Sequence, residues 1–161
     1  MVKNIYLLGF MGSGKSTVGP LLARKMERSF YDLDVLIEKE KNMRVSEIFE
    51  SKGESFFRVL ESRVLAQSEN LSKCVVALGG GTFISKSNRD YISKQGISVW
   101  LKIPFEVARG RCKNLSHRPL AQDPQQFESL FRKRESHYRL AALHVEVQGK
   151  SPMQISAEIE A

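Results

Sequence analysis

The stretch Ile5 to Thr17 reads IYLLGFMGSGKST, an apolar run that breaks without transition into Gly9, Gly12, Gly14, Lys15, Ser16 and Thr17. Its spacing is that of the phosphate-binding pattern GxxxxGKS. A strand that has to stop so abruptly and turn several backbone N–H groups onto one point needs glycine, which takes positive φ at no steric cost. Convergent N–H groups form a nest for an anion. A helix beginning near Gly14 aims its positive end at the same place, and the Lys15 ammonium adds a full charge. Ser16 is placed to put its hydroxyl on a Mg²⁺ ion bridging two phosphates. Val18, Leu21, Leu22 and Met26 continue at helical spacing, so the motif sits where a phosphate loop should, between a strand and a helix.

The rest of the chain repeats that alternation. Helix Lys15 to about Arg28 leads to a short strand, Ser29 to Asp34, whose two acids Asp32 and Asp34 point to one side if the chain is still extended there. Asp34 is also a candidate N-cap for a helix Val35 to Lys41. Helices follow at Ser46 to Lys52, closed by Gly53, and at Glu54 to about Asn70. Cys74 to Leu78 is a continuous apolar run, as in a strand buried on both faces, and it enters Gly79-Gly80-Gly81. The pattern then predicts helix Ser87 to Lys94, strand Ile97 to Ile103, helix Pro104 to Cys112 and a polar loop Lys113 to Gln122. A helix opened by Asp123 and Pro124 runs to about Ala142, followed by strand His144 to Val147, a turn Gly149 to Pro152 and a last helix from Met153. Strands and helices in this order imply an α/β fold of three αβα layers on a five-stranded parallel sheet, with ligands at the carboxyl ends of the strands. Neither a repeat nor an interdomain linker interrupts residues 1–161, which read as a single domain.

Several residues resist a purely structural reading. The strand ending at Leu78 offers no acid for a metal, so Asp32 and Asp34 become the suppliers, although a turn with a capping aspartate is the alternative. The lack of that acid argues against motor ATPases, and no NKxD motif supports a GTPase. Arg134 falls on the stripe Phe127, Leu130, Phe131, Tyr138 and Ala141 of its helix, and an arginine on a buried face needs an anionic partner, either a ligand or a structural carboxylate. Arg58 follows Glu54 by four residues and precedes Glu61 by three, so a helix-face salt bridge is a sufficient explanation, while its place just after Gly53 favours a site. Gly79 to Gly81 offers backbone N–H groups at a strand end, or else a flexible turn. Arg111 and Arg118 bracket the polar loop, as in a lid that neutralises charge during phosphoryl transfer or in a merely solvated loop.

The 25 Lys and Arg against 18 Asp and Glu give a net charge of +7, which fits either nucleic acid or anionic small ligands. The basic residues are spread along the chain, with only Arg132-Lys133-Arg134 adjacent, and this favours the small ligands. The two cysteines, Cys74 and Cys112, belong to no metal-binding spacing and are expected as reduced thiols. No apolar run approaches transmembrane length, and the first strand starts within a few residues of Met1. A cytoplasmic protein is therefore expected, with no membrane and no nucleic-acid partner, acting as a monomer.

Taken together the motifs resemble shikimate kinase over nearly the whole chain. The resemblance rests on GFMGSGKSTVG (Gly9 to Gly19), DLD (Asp32 to Asp34), IFESKGESFFRVLE (Ile48 to Glu61), GGG (Gly79 to Gly81), RPL (Arg118 to Leu120) and RESHY (Arg134 to Tyr138), in the family's order and spacing. It implies a P-loop kinase with a short lid at about 112–123 that phosphorylates the 3-hydroxyl of shikimate with ATP and Mg²⁺, in the chorismate pathway to aromatic amino acids. By the same resemblance Gly12, Ser13, Gly14, Lys15, Ser16 and Thr17 hold the ATP phosphates, and Ser16 and Asp32 serve the metal. Asp34 binds the attacking hydroxyl and accepts its proton, Arg58 and Arg134 clamp the substrate carboxylate, and Gly80 adds a backbone contact. Arg118 reaches the phosphates from the lid and Arg111 lies against the adenine. Two departures, Ala121 for a leucine and Leu143 for an acid, lie away from these groups, and Lys150 to Pro152 match the family's adenine loop only loosely. A P-loop kinase of another small hydroxy acid, such as gluconate, is the alternative within the class. A basic nucleotide sensor or RNA-binding protein is the alternative outside it.

Overall fold

The computed structural model describes residues 3–112 and 123–160. Five strands, β1 (Asn4–Leu8), β2 (Ser29–Asp32), β3 (Cys74–Ala77), β4 (Gly96–Lys102) and β5 (Leu143–Glu146), form one parallel sheet in the order β2-β3-β1-β4-β5. The apolar runs of β1 and β3 are buried along their full length, as expected of parallel strands covered on both faces. The edge strands β2 and β5 carry most of the exposed positions, with Ile97 near the start of β4. Because β3 is inserted between β1 and β2 while β4 lies on the other side, the connections leave β1 in opposite directions. The crevice at its carboxyl end is the switch point at which such sheets bind ligands.

Eight α-helices accompany the sheet among the described residues: α1 (Lys15–Lys25), α2 (Leu33–Lys41), α3 (Val45–Lys52), α4 (Glu54–Ala66), α5 (Lys86–Gln95), α6 (Phe105–Cys112), α7 (Pro124–Tyr138) and α8 (Pro152–Glu160). Residues Phe127, Phe131, Arg134 and Tyr138 form the buried face of α7. Its aromatic part packs edge-on around Phe10, whose ring lies 5.2 Å from that of Phe127 and 5.0 Å from that of Phe131. This bond between the helix and the loop after β1 brings Arg134 to the switch point.

The element order and the parallel sheet follow the sequence expectation, and the boundaries differ for local reasons. Helix α1 stops at Lys25, since Glu27 takes a positive φ of 54° and Arg28 turns back to donate to the Lys3 carbonyl at 2.6 Å. Helix α4 ends at Ala66 and tightens into a 3₁₀ turn, Gln67–Asn70. Helix α7 ends at Tyr138 rather than near Ala142, with Leu140 and Ala141 N–H groups closing turns onto His137 and Tyr138 carbonyls. Strand β5 begins one residue early, and Pro152 opens α8 instead of ending the turn before it, as a proline suits a first helical position. A further 3₁₀ turn, Thr82–Ile84, follows the three glycines.

Gly19, the last residue of the phosphate-loop motif, has a packing task. A Cβ there would run into the Phe30 ring of β2, so glycine is what lets α1 lie close against the sheet. Helix propensity alone would make Gly19→Ala stabilising by about 1 kcal/mol. Overpacking outweighs it, and the variant is expected to lose about 1–2 kcal/mol, read as a lower denaturation midpoint with an unchanged slope.

Candidate active site

The loop after β1 takes its shape from three glycines at positive φ, Gly9 at 155°, Gly12 at 86° and Gly14 at 95°. Helix α1 starts at Lys15 with Gly14 as its N-cap and no side chain bonded to its first amides, so these remain aimed at the loop. Lys15 Nζ donates to the Gly9 carbonyl at 2.6 Å, across the loop it belongs to. Ser16 and Thr17 stand exposed at the same end, and Ser13 is buried with its hydroxyl unpaired. Helix α6 braces the loop from outside: Arg111 Nη1 donates to the Gly12 carbonyl at 2.7 Å and Cys112 Sγ to the Met11 carbonyl at 3.5 Å. Arg111 is thus fixed to the phosphate loop itself.

The two acids at the end of β2 divide their labour differently from the sequence expectation. Asp32, not Asp34, is the N-cap of α2, and its Oδ1 accepts from the Asp34 and Val35 N–H groups at 3.0 and 3.3 Å. The strand therefore ends at Asp32, and Asp34 projects from the first turn of a helix rather than from an extended chain. Burial is the largest influence on its carboxyl, followed by the negative charges of Asp32 and Glu61; together they push its pKa to about 6, against the opposing pull of Lys15. A carboxylate held near pH 6 is a proton acceptor poised for a hydroxyl.

Opposite Asp34 lies the glycine turn. A Cβ on Gly79 would stand 2.9 Å from Asp34 Oδ1, 3.1 Å from Glu61 Oε2 and 3.2 Å from Thr82 Oγ1. On Gly80 it would stand 2.6 Å from Arg134 Nη1, and on Gly81 2.5 Å from Arg58 Nη2. Three glycines in a row let two acids and two arginines approach the same backbone, and a side chain at any of them would displace one of these groups. The turn's carbonyls are held from behind: Gly79 accepts from the Thr82 N–H, Gly80 from the Tyr138 hydroxyl, and Thr82 from Asn88 Nδ2 at 2.9 Å. Among the described residues no acceptor faces the N–H of Gly80 or Gly81.

Arg134 is only 9% exposed, its Nε has no hydrogen-bond partner among the described residues, and its guanidinium rests 5.8 Å from the centre of the Phe10 ring. Burial, and then the nearby positive charge of Arg58, lower its pKa, while Tyr138 and Glu61 oppose them. Arg58 donates to Glu61 Oε1 at 3.0 Å and faces Glu54 at 3.5 Å, with its guanidinium over the Phe49 and Phe57 rings. The salt bridge expected on a solvated helix face is real, but its main partner is buried: Glu61 is 1% exposed and also accepts from Thr82 Oγ1 at 2.8 Å. Lys15, Asp34, Arg58, Gly80 and Arg134 are thereby brought to one crevice. Arg118 lies outside the described residues.

Three contributors were not singled out by residue reasoning. Glu61, Thr82 and Tyr138 hold the groups above in place. For Glu61 a signal existed: with Phe57, Leu60, Val64 and Leu65 it lies on the buried stripe of α4, the same anomaly that marks Arg134 on α7. Thr82 and Tyr138 act through hydroxyls whose partners become neighbours only in the fold.

The strained ionisation of Asp34 has a measurable sign. Its folded pKa is raised from 3.8 to about 6, so the neutral form contributes stability that is full below the ordinary value and lost as pH rises through about 6. Asp34→Asn, which cannot ionise, is expected to be more stable than the parent above pH 7 by about 2 kcal/mol, or about 4–8 °C in Tm. Thermal melts between pH 4 and 8 check it, since the difference should vanish toward pH 4.

The shikimate kinase family model matches residues 11–161. A shikimate kinase from Sulfurihydrogenibium sp. (strain YO3AOP1) is 43% identical over 98% of this chain and 96% of its own, and one from Persephonella marina is 43% identical over 98% and 97%. A solved structure of shikimate kinase from Acinetobacter baumannii in complex with shikimate superposes with a TM-score of 0.93 at 34% identity, covering 99% of this chain and 92% of that one. With the phosphate loop, the paired arginines and the glycine turn all in the crevice at the end of β1, the chain belongs to the shikimate kinase family.

Proposed function

We propose that this protein transfers the γ-phosphoryl group of ATP to the 3-hydroxyl of shikimate, giving shikimate 3-phosphate and ADP. The observation that carries this reading is Arg134: a buried guanidinium with an unpaired Nε, beside Arg58 and across the glycine turn from Asp34. Two arginines and a carboxylate on one short turn suit an acceptor that bears a carboxylate at one end and a reacting hydroxyl at the other. A buried cation of this kind has strong reason to take an anionic ligand.

In this reading the hydroxyl oxygen attacks the γ-phosphorus in line as the bond to the β-phosphate oxygen breaks. The proton passes to Asp34, and ADP leaves with the bonding electrons. Lys15, the loop amides from Gly12 to Thr17 and the start of α1 hold the phosphates, and Arg111 belongs to the nucleotide side. In a single-domain enzyme the lid expected at about 112–123, with Arg118 as a further positive charge for the phosphates, falls almost wholly outside the described residues. Catalysis then comes mainly from positioning and from neutralising charge on the transferred group.

The oxygens offered to Mg²⁺ are the exposed Ser16 hydroxyl and Asp32 Oδ2, the oxygen that the helix cap does not use. Among the described residues no group of three or more His, Cys, Asp or Glu could hold a metal by itself. A hard cation that takes most of its shell from phosphates and water fits that sparse donor set, and when bound it neutralises charge on the phosphates.

The test is ADP release from ATP and Mg²⁺ with shikimate, with gluconate and without acceptor. Turnover is expected with shikimate alone and should fall by about 10²–10⁴ in Asp34→Asn. Arg58→Ala and Arg134→Ala should each raise KM for shikimate about 10- to 100-fold while KM for ATP changes little. Turnover with gluconate and not with shikimate would replace the acceptor assignment. Equal effects of the arginine variants on both substrates would remove the carboxylate clamp.

A further inference from the structure

Tyr138 is buried to 2% exposure, and its hydroxyl donates to the Gly80 carbonyl. With Phe10, Trp100, Leu101, Ile103, Phe131 and Glu135 its side chain lines a small cavity, and it is buried almost to its last atom. Only the hydroxyl emerges at the acceptor side, where the Arg134 guanidinium lies against it. Burial pushes the phenol to about 12, which keeps it a donor throughout the working pH range.

A trans peptide unit is planar, with its C=O and N–H pointing in opposite directions. The carbonyl of Gly80 and the N–H of Gly81 belong to one such unit, so fixing the first aims the second. A peptide between two glycines is the easiest kind to rotate, because neither neighbour has a Cβ to resist it. The preceding unit is held by backbone alone, since the Gly79 carbonyl accepts from the Thr82 N–H at 3.2 Å and thereby sets the Gly80 N–H. Among the described residues the Gly80–Gly81 unit has no backbone partner at its carbonyl and depends on the tyrosine. On its other side, Arg58 Nη2 lies 2.5 Å from where a Gly81 Cβ would stand, which puts the free N–H in the company of the clamp.

We propose that Tyr138 is a positioning residue that turns the Gly81 N–H toward the acceptor's carboxylate by holding the Gly80 carbonyl from behind. The carboxylate then meets two guanidinium groups and the Gly81 N–H, beside the backbone contact expected from Gly80, and the Gly81 contact depends on a hydroxyl that never touches substrate. This rests on the acceptor reading given above.

Tyr138→Phe keeps the ring and removes the hydroxyl, both as donor to the Gly80 carbonyl and as neighbour of Arg134. The experiment compares kcat/KM for shikimate with that for shikimate methyl ester, which carries the same ring hydroxyls and no carboxylate. The ratio of acid to ester is expected to fall about tenfold in the variant, through KM for shikimate, with KM for ATP within about twofold of the parent. A general loosening of the core would lower both activities together and leave the ratio unchanged, and that result would overturn the proposal. Absence of shikimate turnover in the parent protein would instead overturn the acceptor reading and this inference with it. Should the variant fail to fold, amide NMR on the parent decides: the Gly81 N–H resonance should move on binding shikimate and not the ester, and an equal response to both would overturn the proposal.

Discussion

A parallel strand covered on both faces meets solvent only at its ends, and in this chain that constraint falls on β1. Its five residues are all buried, and the backbone leaves the sheet through Gly9 into a loop that has to satisfy itself within a few residues. The loop does so by facing inward on its own lysine, by accepting Arg111 and Cys112 from α6, and by seating Phe10 among the aromatics of α7. Both neighbours of β1 contribute to the same end, β3 with the glycine turn and β4 through the helix that follows it. The phosphate loop and the acceptor pocket are adjacent because the sheet has one place at which its connections diverge.

The acceptor side is built from charges that would repel if left alone. Asp34 and Glu61 converge on Gly79, and Arg58 and Arg134 crowd Gly80 and Gly81. Glu61 is satisfied by Arg58 and Thr82, so its negative charge is largely spent on structure. Asp34 has no such partner set among the described residues, and burial first, then the charges of Asp32 and Glu61, raise its pKa. Arg134 likewise rests on an aromatic face and a phenol rather than on a carboxylate. Asp34, with its raised pKa, and Arg134, with its unpartnered Nε among the described residues, are both assigned to the acceptor, as expected where binding rather than stability determines the residue.

The sheet, its order of elements and the phosphate loop were legible because they rest on local signals: apolar runs, glycine spacing, and caps such as Asp123 on α7. Arg134 was legible as an anomaly of periodicity, and its burial bears that out. The capping of α2 was misread by two residues because Asp32 and Asp34 are chemically equivalent as caps, and only the point at which β2 loses its partner β3, at the pair Asp32 and Ala77, decides between them. Thr82 and Tyr138 were not legible for a different reason. Their tasks consist of contacts over separations of 21 and 58 residues, and nothing in the flanking sequence announces such a partner.

Asp32 closes β2, opens α2 and keeps one oxygen uncommitted. Folding reads only the first oxygen, and asparagine serves an N-cap about as well as aspartate does. The negative charge that asparagine would lack acts elsewhere: it helps to raise the pKa of Asp34. At this position a single-nucleotide change from aspartate to asparagine would leave the cap in place and alter the charge beside Asp34, so drift there separates the inheritance of a shape from the inheritance of an ionisation state.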